Sequence, residues 1–230
     1  MESQKTTQEL LQNLLIEEFQ NVSKEKGKSG QRLKYLNRQD KQLLFREIYK
    51  DESPHRKRNI AIFEVSLYCA LRVSEITNLD ISDYNPTEHT LYCHRLKGSN
   101  SNTLKIVDQH VIKALEDYLS ERLQEKRENT ALFISQKGSC ISRQRLDALM
   151  KFYCQKARYI HPDKWHMHVL KHTRAIDLAE AGCDIDDIKY WLGHKNVANT
   201  FIYLEFTTCL HRQLFKKLAL IEHGSYDDRY

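Results

Sequence analysis

The chain has 230 residues, of which 40% are hydrophobic and 10% aromatic, enough to build one large domain with a buried core and to exclude a disordered chain. No apolar run approaches about 18 residues, and residues 1–5 do not begin a secretion signal, so we expect a cytoplasmic protein without a membrane span. The six cysteines form no CxxC pair, which argues against a zinc ribbon or a disulfide framework.

The charge is moderately positive. Lys and Arg number 36 against 31 Asp and Glu, a formal net charge of +5 that permits a polyanionic partner without requiring one. The stretch from Lys26 to Asn59 contains eleven basic residues and four acidic ones. This stretch predicts either a local positive surface or an ordinary solvated helix face.

The N-terminal third is predicted to be helical. Leu10, Leu14 and Phe19 share one side of an amphipathic helix over 7–22, and a polar linker over 23–31 follows. Asn37 is predicted to cap a second helix. A third helix runs from about Pro54 to Ala70, and a short one begins near Arg72.

The middle of the chain changes character. Short β-prone runs at 81–84, 90–96 and 103–107 predict a small antiparallel sheet, and the turn-rich segment 97–102 predicts an exposed hairpin. Helical spacing then returns over 110–126, 142–159, 168–181, 184–192, 196–203 and 207–221. The expected fold class is α+β, predominantly α, with a three-stranded antiparallel sheet.

The densest group of reactive side chains lies between His161 and Arg174. On one helix, His168, Lys171 and His172 would share a face. A zinc site is one interpretation of the two histidines four residues apart, but a glutamate between them and an evident third ligand are missing. The other interpretations are an anion site, in which cations and imidazoles converge on a phosphate, and a surface basic patch.

Three further segments complete a recognisable set. Arg72 lies in the run Ala-Leu-Arg-Val-Ser-Glu, where Glu75 can pair with its guanidinium. Downstream, Leu-Gly-His ends at His194, and Thr-x-x-Tyr ends at Tyr203. With the His-x-x-Lys-His run over 168–172 and the Lys97-Gly98 pair between them, these motifs have the order and spacing of the tyrosine recombinase (phage integrase) family. The resemblance covers about residues 35–210.

The resemblance implies a chemistry for each residue. In that family a tyrosine attacks a DNA phosphodiester to form a 3′-phosphotyrosine, and no metal, cofactor or small-molecule substrate is needed. Tyr203 matches this nucleophile and Arg72 the first phosphate-binding arginine. Lys97 matches the general acid on the hairpin, and His168 the histidine proposed as general base or phosphate ligand. The remaining matches are His194, which would orient the phosphate, and Glu75, which would support Arg72.

One position departs from the family pattern. Lys171 stands where the family has a second arginine, so a point donor replaces a planar fork. Arg174, one helical turn later, is a candidate substitute. Two functions therefore remain open: a site-specific recombinase of a mobile element, with integration as one outcome, or a catalytically degenerate relative that binds DNA as a replication or regulatory protein.

The expected organisation is a short helical arm and linker over 1–35, followed by the catalytic domain over 36–225. Most relatives carry a larger N-terminal domain that closes around the duplex. DNA binding would here depend on phosphate contacts from the basic stretch and from Arg143 and Arg145. The expected partner is double-stranded DNA, with a homo-tetramer assembled on it. The apolar helix over 207–221 would dock on a neighbouring subunit or fold back on its own core.

Overall fold

A computed structural model describes residues 33–96, 98–124 and 129–204. The chain divides into two units between Leu33 and Lys34, and every described helix and strand belongs to the second unit. The helices predicted over 7–22 and 207–221, and the linker over 23–31, lie outside the described residues.

The described part is predominantly helical with one small sheet, which confirms the predicted fold class. Its helices are α1 (Arg38–Tyr49), α2 (Arg56–Tyr68), α3 (Val73–Thr77), α4 (Gln109–Gln124), α5 (Arg143–Ala157), α6 (His168–Glu180), α7 (Ile185–Leu192) and α8 (Ala198–Leu204). The strands are β1 (Tyr84–Asn85), β2 (Thr90–Cys93) and β3 (Asn102–Lys105), all between α3 and α4.

Helix α2 is the centre of the core. Ile62, Phe63 and Val65 have no exposed surface, and buried residues surround the helix on all sides. It packs against α1, α4 and α6. Because α2 is held on every side, the turn that follows it, at Ala70 and Arg72, has a fixed position in the fold.

Local signals determine where the helices begin and end. Asn37 caps α1 in a reciprocal capping box with Asp40, as predicted. Asp184 caps α7 by accepting from the backbone N–H of Asp187. Gly193 ends α7 with φ of 68°, a left-handed conformation that glycine adopts without a Cβ penalty.

The sheet is antiparallel with the order β1-β2-β3. Leu91 pairs with Leu104 in the register of β2 and β3, and both side chains are buried. The hairpin contacts another part of the fold, because the backbone N–H of Asn100 donates to the carbonyl of Gly193 at 2.8 Å. This contact joins the sheet to the turn between α7 and α8.

The predicted strand over 81–84 is wrong at most of its positions. Ile81–Asp83 form a 3₁₀ turn, and only Tyr84 enters β1. The carboxylate of Asp80 accepts from Ser82 N–H, and that of Asp83 accepts from Asp80 N–H. These local side-chain bonds satisfy the backbone in a turn and outweigh the β propensity of Ile81.

The basic stretch is partly neutralised within the described residues. Lys41 pairs with Asp177, and Lys57 pairs with Glu121. Arg58 is buried and donates to the carbonyl of Ile134. Across the described ranges, no helix combines the length and the apolar character that crossing a membrane requires.

Candidate active site

Four separate elements bring polar side chains to one place. Arg72 precedes α3, and the first two turns of α6 present His168, Lys171 and His172. His194 follows α7, and Tyr203 lies on α8. Five of the six residues predicted to be catalytic therefore belong to elements that meet around this cluster, and the sixth, Lys97, lies outside the described residues.

Arg72 is held by its own helix. Glu75 accepts from the Arg72 backbone N–H at 2.8 Å and from its Nη1 at 2.7 Å, and Ser99 Oγ accepts from Nη1 at 3.2 Å. Glu75 has no exposed side-chain surface, whereas the Arg72 side chain keeps 31%. The carboxylate anchors one end of the guanidinium and leaves the rest facing solvent, where an anion can reach it.

A second arginine, which sequence reasoning missed, lies beneath Arg72. Arg95 has no exposed side-chain surface, and its Nη1 donates to the other side of the Glu75 carboxylate at 3.1 Å. Its remaining donors reach the Asn102 side chain and three backbone carbonyls. Those carbonyls belong to Cys69, Ala70 and Trp191. Arg95 thus joins the end of α2, the hairpin and the end of α7 behind the site.

Lys171 faces inward. Its side chain is almost wholly buried, and Nζ donates to the carbonyls of Ala70 at 3.2 Å and Leu192 at 2.9 Å. Burial, and then the neighbouring charge of Arg95, lower its pKa to about 7. The two carbonyls accept hydrogen bonds from Nζ, whereas burial and the charge of Arg95 disfavour its ammonium form.

Three imidazoles line the cluster. The rings of His168 and His172 meet edge to face with centroids 4.4 Å apart, and His194 Nδ1 lies 3.1 Å from Thr200 Oγ1. Burial and then Lys171 lower the pKa of His168 and of His194 to about 4. Burial and then His168 lower the pKa of His172 to about 3. His168 keeps an exposed surface, so solvent screens part of its shift.

Tyr203 lies inside this cluster. It is 2% exposed, its hydroxyl is 3.0 Å from His172 Nδ1, and its ring stacks beside that of His194 at 6.4 Å between centroids. Burial raises the pKa of its phenol to about 12, against the opposing effect of Arg72. The positive charge of Arg72 favours the phenolate and so opposes the effect of burial.

Arg174 does not join the cluster. Its guanidinium carbon lies 4.6 Å from the ring centroid of Tyr68 and 4.9 Å from that of Trp191, and its buried Nε has no hydrogen-bond partner among the described residues. In this arrangement it packs on aromatic faces behind α6 rather than beside Lys171.

Two residues of the site had different signals in the sequence. His172 belongs to the reactive run over 161–174 and is four residues from His168, so helical spacing placed it on the correct face. Arg95 had no such signal, because a basic residue beside a β-hairpin is ordinarily solvated. Within the described residues, no group of three or more His, Cys, Asp or Glu side chains is placed to hold a metal ion.

The chain matches a known protein family. The model of the phage integrase family matches residues 34–208. The chain belongs to this family. The resemblance that the motifs predicted is thereby confirmed, and the family's name applies to most of the chain.

The sequence is also similar to individual proteins of known type. The chain is 32% identical over 188 residues to tyrosine recombinase XerC of Caldanaerobacter subterraneus subsp. tengcongensis, covering 81% of this chain and 51% of that protein. It is 33% identical over 154 residues to type 1 fimbriae regulatory protein FimB of Escherichia coli K12, covering 65% of this chain and 74% of FimB. The chain thus spans about half the length of the XerC relative.

A solved structure extends the comparison to three dimensions. The crystal structure of XerA recombinase superposes with a TM-score of 0.70 at 29% identity, covering 84% of this chain and 65% of that one. The Tn1549 transposon integrase in complex with transposon right end DNA gives a TM-score of 0.68 at 20% identity, covering 86% of this chain and 70% of that one, which supports the fold alone.

Proposed function

We propose that this phage integrase family member is a site-specific recombinase of a mobile element. It would cut and rejoin double-stranded DNA through a 3′-phosphotyrosine on Tyr203. The observation that carries the proposal is the place of the Tyr203 hydroxyl, 3.0 Å from His172 and within the electrostatic reach of Arg72. A tyrosine that only filled the core would have no need of this cationic and imidazole surrounding.

The proposed reaction starts with a phosphodiester bound at Arg72. The guanidinium, held by Glu75, donates to the non-bridging oxygens and stabilises the charge that grows on them. The phenol oxygen of Tyr203 gives up its proton to a neighbouring base as it forms a bond to phosphorus, and the bond from phosphorus to the 5′ oxygen breaks. The leaving 5′ oxygen takes a proton, for which Lys97 is the proposed donor. A free 5′ hydroxyl of a partner strand reverses these steps and restores the phosphodiester.

His168 and His194 complete the proposed phosphate site. Their lowered pKa values keep both rings neutral near pH 7. Each neutral ring can donate through one N–H. We propose that they donate to the phosphate. Lys171 would support the site from behind by donating hydrogen bonds to the backbone carbonyls of Ala70 and Leu192.

The proposed substrate is large and anionic. Arg143 and Arg145 are exposed at the start of α5 and would contact the DNA backbone, so binding should weaken steeply with salt. We further propose that a tetramer assembles on DNA, since two duplexes must exchange strands. The Tn1549 integrase, a structural neighbour, binds transposon right end DNA in its solved complex.

The test is a covalent trapping assay. Short duplexes with a nick are first selected for binding to the wild-type protein from a randomised pool. We expect the wild-type protein to form an adduct that survives denaturation, and Tyr203→Phe to bind the same DNA and form none.

Tyr190→Phe is the matched control, because the Tyr190 hydroxyl donates to the carbonyl of Thr103, away from the cluster. It should form the adduct at the wild-type rate. Tight, salt-sensitive binding with no adduct from the wild-type protein would instead support the DNA-binding relative without catalysis.

A further inference from the structure

The contact between His172 and Tyr203 assigns a role that the family resemblance left to another histidine. The Tyr203 hydroxyl lies 3.0 Å from His172 Nδ1, with ring centroids 5.7 Å apart and an interplanar angle of 45°. Within residues 33–96, 98–124 and 129–204 this is the hydrogen bond that the structure gives the phenol. His172 therefore touches the atom that would attack phosphorus.

The Tyr203 phenol and the His172 imidazole are both uncharged near pH 7. Burial raises the pKa of Tyr203 to about 12, so the phenol keeps its hydrogen near pH 7. Burial, and then His168, lower the pKa of His172 to about 3, so the imidazole is neutral. A neutral imidazole has one acceptor nitrogen and one donor nitrogen. In the tautomer that carries its ring proton on Nε2, Nδ1 accepts a hydrogen bond from the phenol, and the role argued below requires this tautomer.

We propose that His172 is a catalytic residue that takes the phenolic proton of Tyr203 as the phenol attacks the phosphodiester. This role rests on the proposed function. The proton passes from the phenol oxygen to Nδ1, and the electron pair of the O–H bond remains on oxygen, from which the new bond to phosphorus forms. The bond to the 5′ oxygen breaks at the same time, and that oxygen takes its proton from the general acid. Religation returns the proton from Nδ1 to the phenol.

The geometry distinguishes His172 from His168. The described contact of the His168 ring is with the His172 ring, edge to face at 4.4 Å, whereas His172 contacts the hydroxyl itself. A general base must be within hydrogen-bond reach of the proton that it removes. His168 is thereby free to bind the phosphate, and its contact with His172 helps to orient the second ring.

Burial and the neighbouring titratable groups keep the basicity of His172 low in the free protein. The titratable groups whose charge acts on it are His166, His168, Lys171 and His194. These groups, when charged, disfavour an imidazolium, and together with burial they leave the ring a weak base in the free protein. A bound phosphodiester adds a negative charge beside the ring and raises its basicity, so the proton moves in concert with formation of the bond to phosphorus.

The test uses the same selected nicked duplexes and measures the rate of adduct formation. His172→Asn keeps a hydrogen-bond acceptor but removes the basic nitrogen, so we expect the rate to fall by about 10² to 10⁴-fold. Site-specific replacement of Tyr203 by 3,5-difluorotyrosine, whose phenol is more acidic, should restore much of this loss. His172→Gln serves as a second variant, and the melting temperature and DNA affinity of each variant establish that it is folded.

His168→Asn is the matched control. If His168 binds phosphate, the fluorinated phenol should leave its defect unchanged. Adduct formation by His172→Asn at the wild-type rate would overturn the role of His172 alone. So would rescue by the fluorinated phenol in His168→Asn but not in His172→Asn. Wild-type protein that binds the duplexes and forms no adduct would overturn both the proposed function and this role.

Discussion

Lys171 Nζ lies 2.9 Å from the carbonyl oxygen of Leu192, the last residue of α7. The lysine that the motif resemblance matches to the family's second arginine thus bonds the backbone next to Gly193 and His194. A helix ends with carbonyls that lack intrahelical partners, and a buried N–H donor satisfies one of them. The Lys171 amine therefore lies behind the proposed phosphate site.

Lys171 should make stability depend on alkaline pH. Its folded pKa of about 7 lies below the ordinary lysine value of 10.5, so between these values the unfolded chain binds more protons than the folded one. Unfolding free energy from this group therefore rises with pH across that window, by at most about 1.4 kcal/mol per pH unit, and is constant below it. Urea titrations at several pH values across this window give the unfolding free energy as a function of pH. This free energy should rise less steeply with pH for Lys171→Met than for the wild type, and an equal rise would contradict the prediction.

Replacing Lys171 with arginine should not increase the rate of adduct formation. Lys171→Arg places a larger side chain, which cannot lose its charge, in a buried site beside Arg95. We expect a loss of about 1 to 3 kcal/mol of stability from overpacking and no gain in adduct formation. A many-fold gain in adduct would show instead that the lysine is a catalytic defect.

Gly193→Ala should disturb the site through packing. A Cβ there would lie 2.6 Å from Arg95 Cγ and 2.7 Å from the Asn100 carbonyl, at a φ of +68°. Gly98→Ala is the matched control, since its φ is +70° and its Cβ would meet nothing within 4 Å. Thermal and urea unfolding should show Gly193→Ala to be less stable than this control by about 1 to 3 kcal/mol. Equal losses of stability in the two variants would mean that backbone strain alone, and not the close contacts of the Cβ, destabilises Gly193→Ala.

Arg95→Lys should weaken the fold although it keeps the charge. An ammonium offers three donors, whereas Arg95 serves Glu75, Asn102 and three backbone carbonyls. Acceptors left buried and unpaired should cost about 3 kcal/mol in unfolding free energy. Lys105→Gln removes the exposed pair with Glu88 and should change stability by less than about 1 kcal/mol. A similar small change for Arg95→Lys would contradict the importance of these bonds.

Arg174→Met should have little effect on chemistry. The guanidinium lies on the faces of Tyr68 and Trp191, and methionine can fill much of the same volume. We expect adduct formation close to the wild-type rate and a stability change of about 1 kcal/mol, the size of a cation–π contact. A loss of adduct like that of Tyr203→Phe would indicate that Arg174 reaches the phosphate after all.

The local patterns of the sequence were sufficient for most of the elements and for the family. Helical spacing predicted α1, α2 and α4 to α8 near their observed bounds, because an apolar stripe must face the core wherever the helix lies. The motif spacing led to Arg72, His168, His194 and Tyr203, which the structure places in one cluster. The prediction of a strand over 81–84 was wrong because a 3₁₀ turn forms there instead. The side-chain hydrogen bonds that cap this turn depend on side-chain geometry and not on β propensity.

Tertiary contacts decided what each residue faces. Arg95 and Lys171 are cations in the sequence like any others, and only the folded chain turns them inward, onto carbonyls contributed by distant turns. In the same way, His172 meets Tyr203 across 31 positions of sequence, because α6 and α8 pack together. Periodicity specifies the face of a helix that is buried, but the partner of a buried polar group is chosen by which segments meet in space, and no local pattern records that meeting.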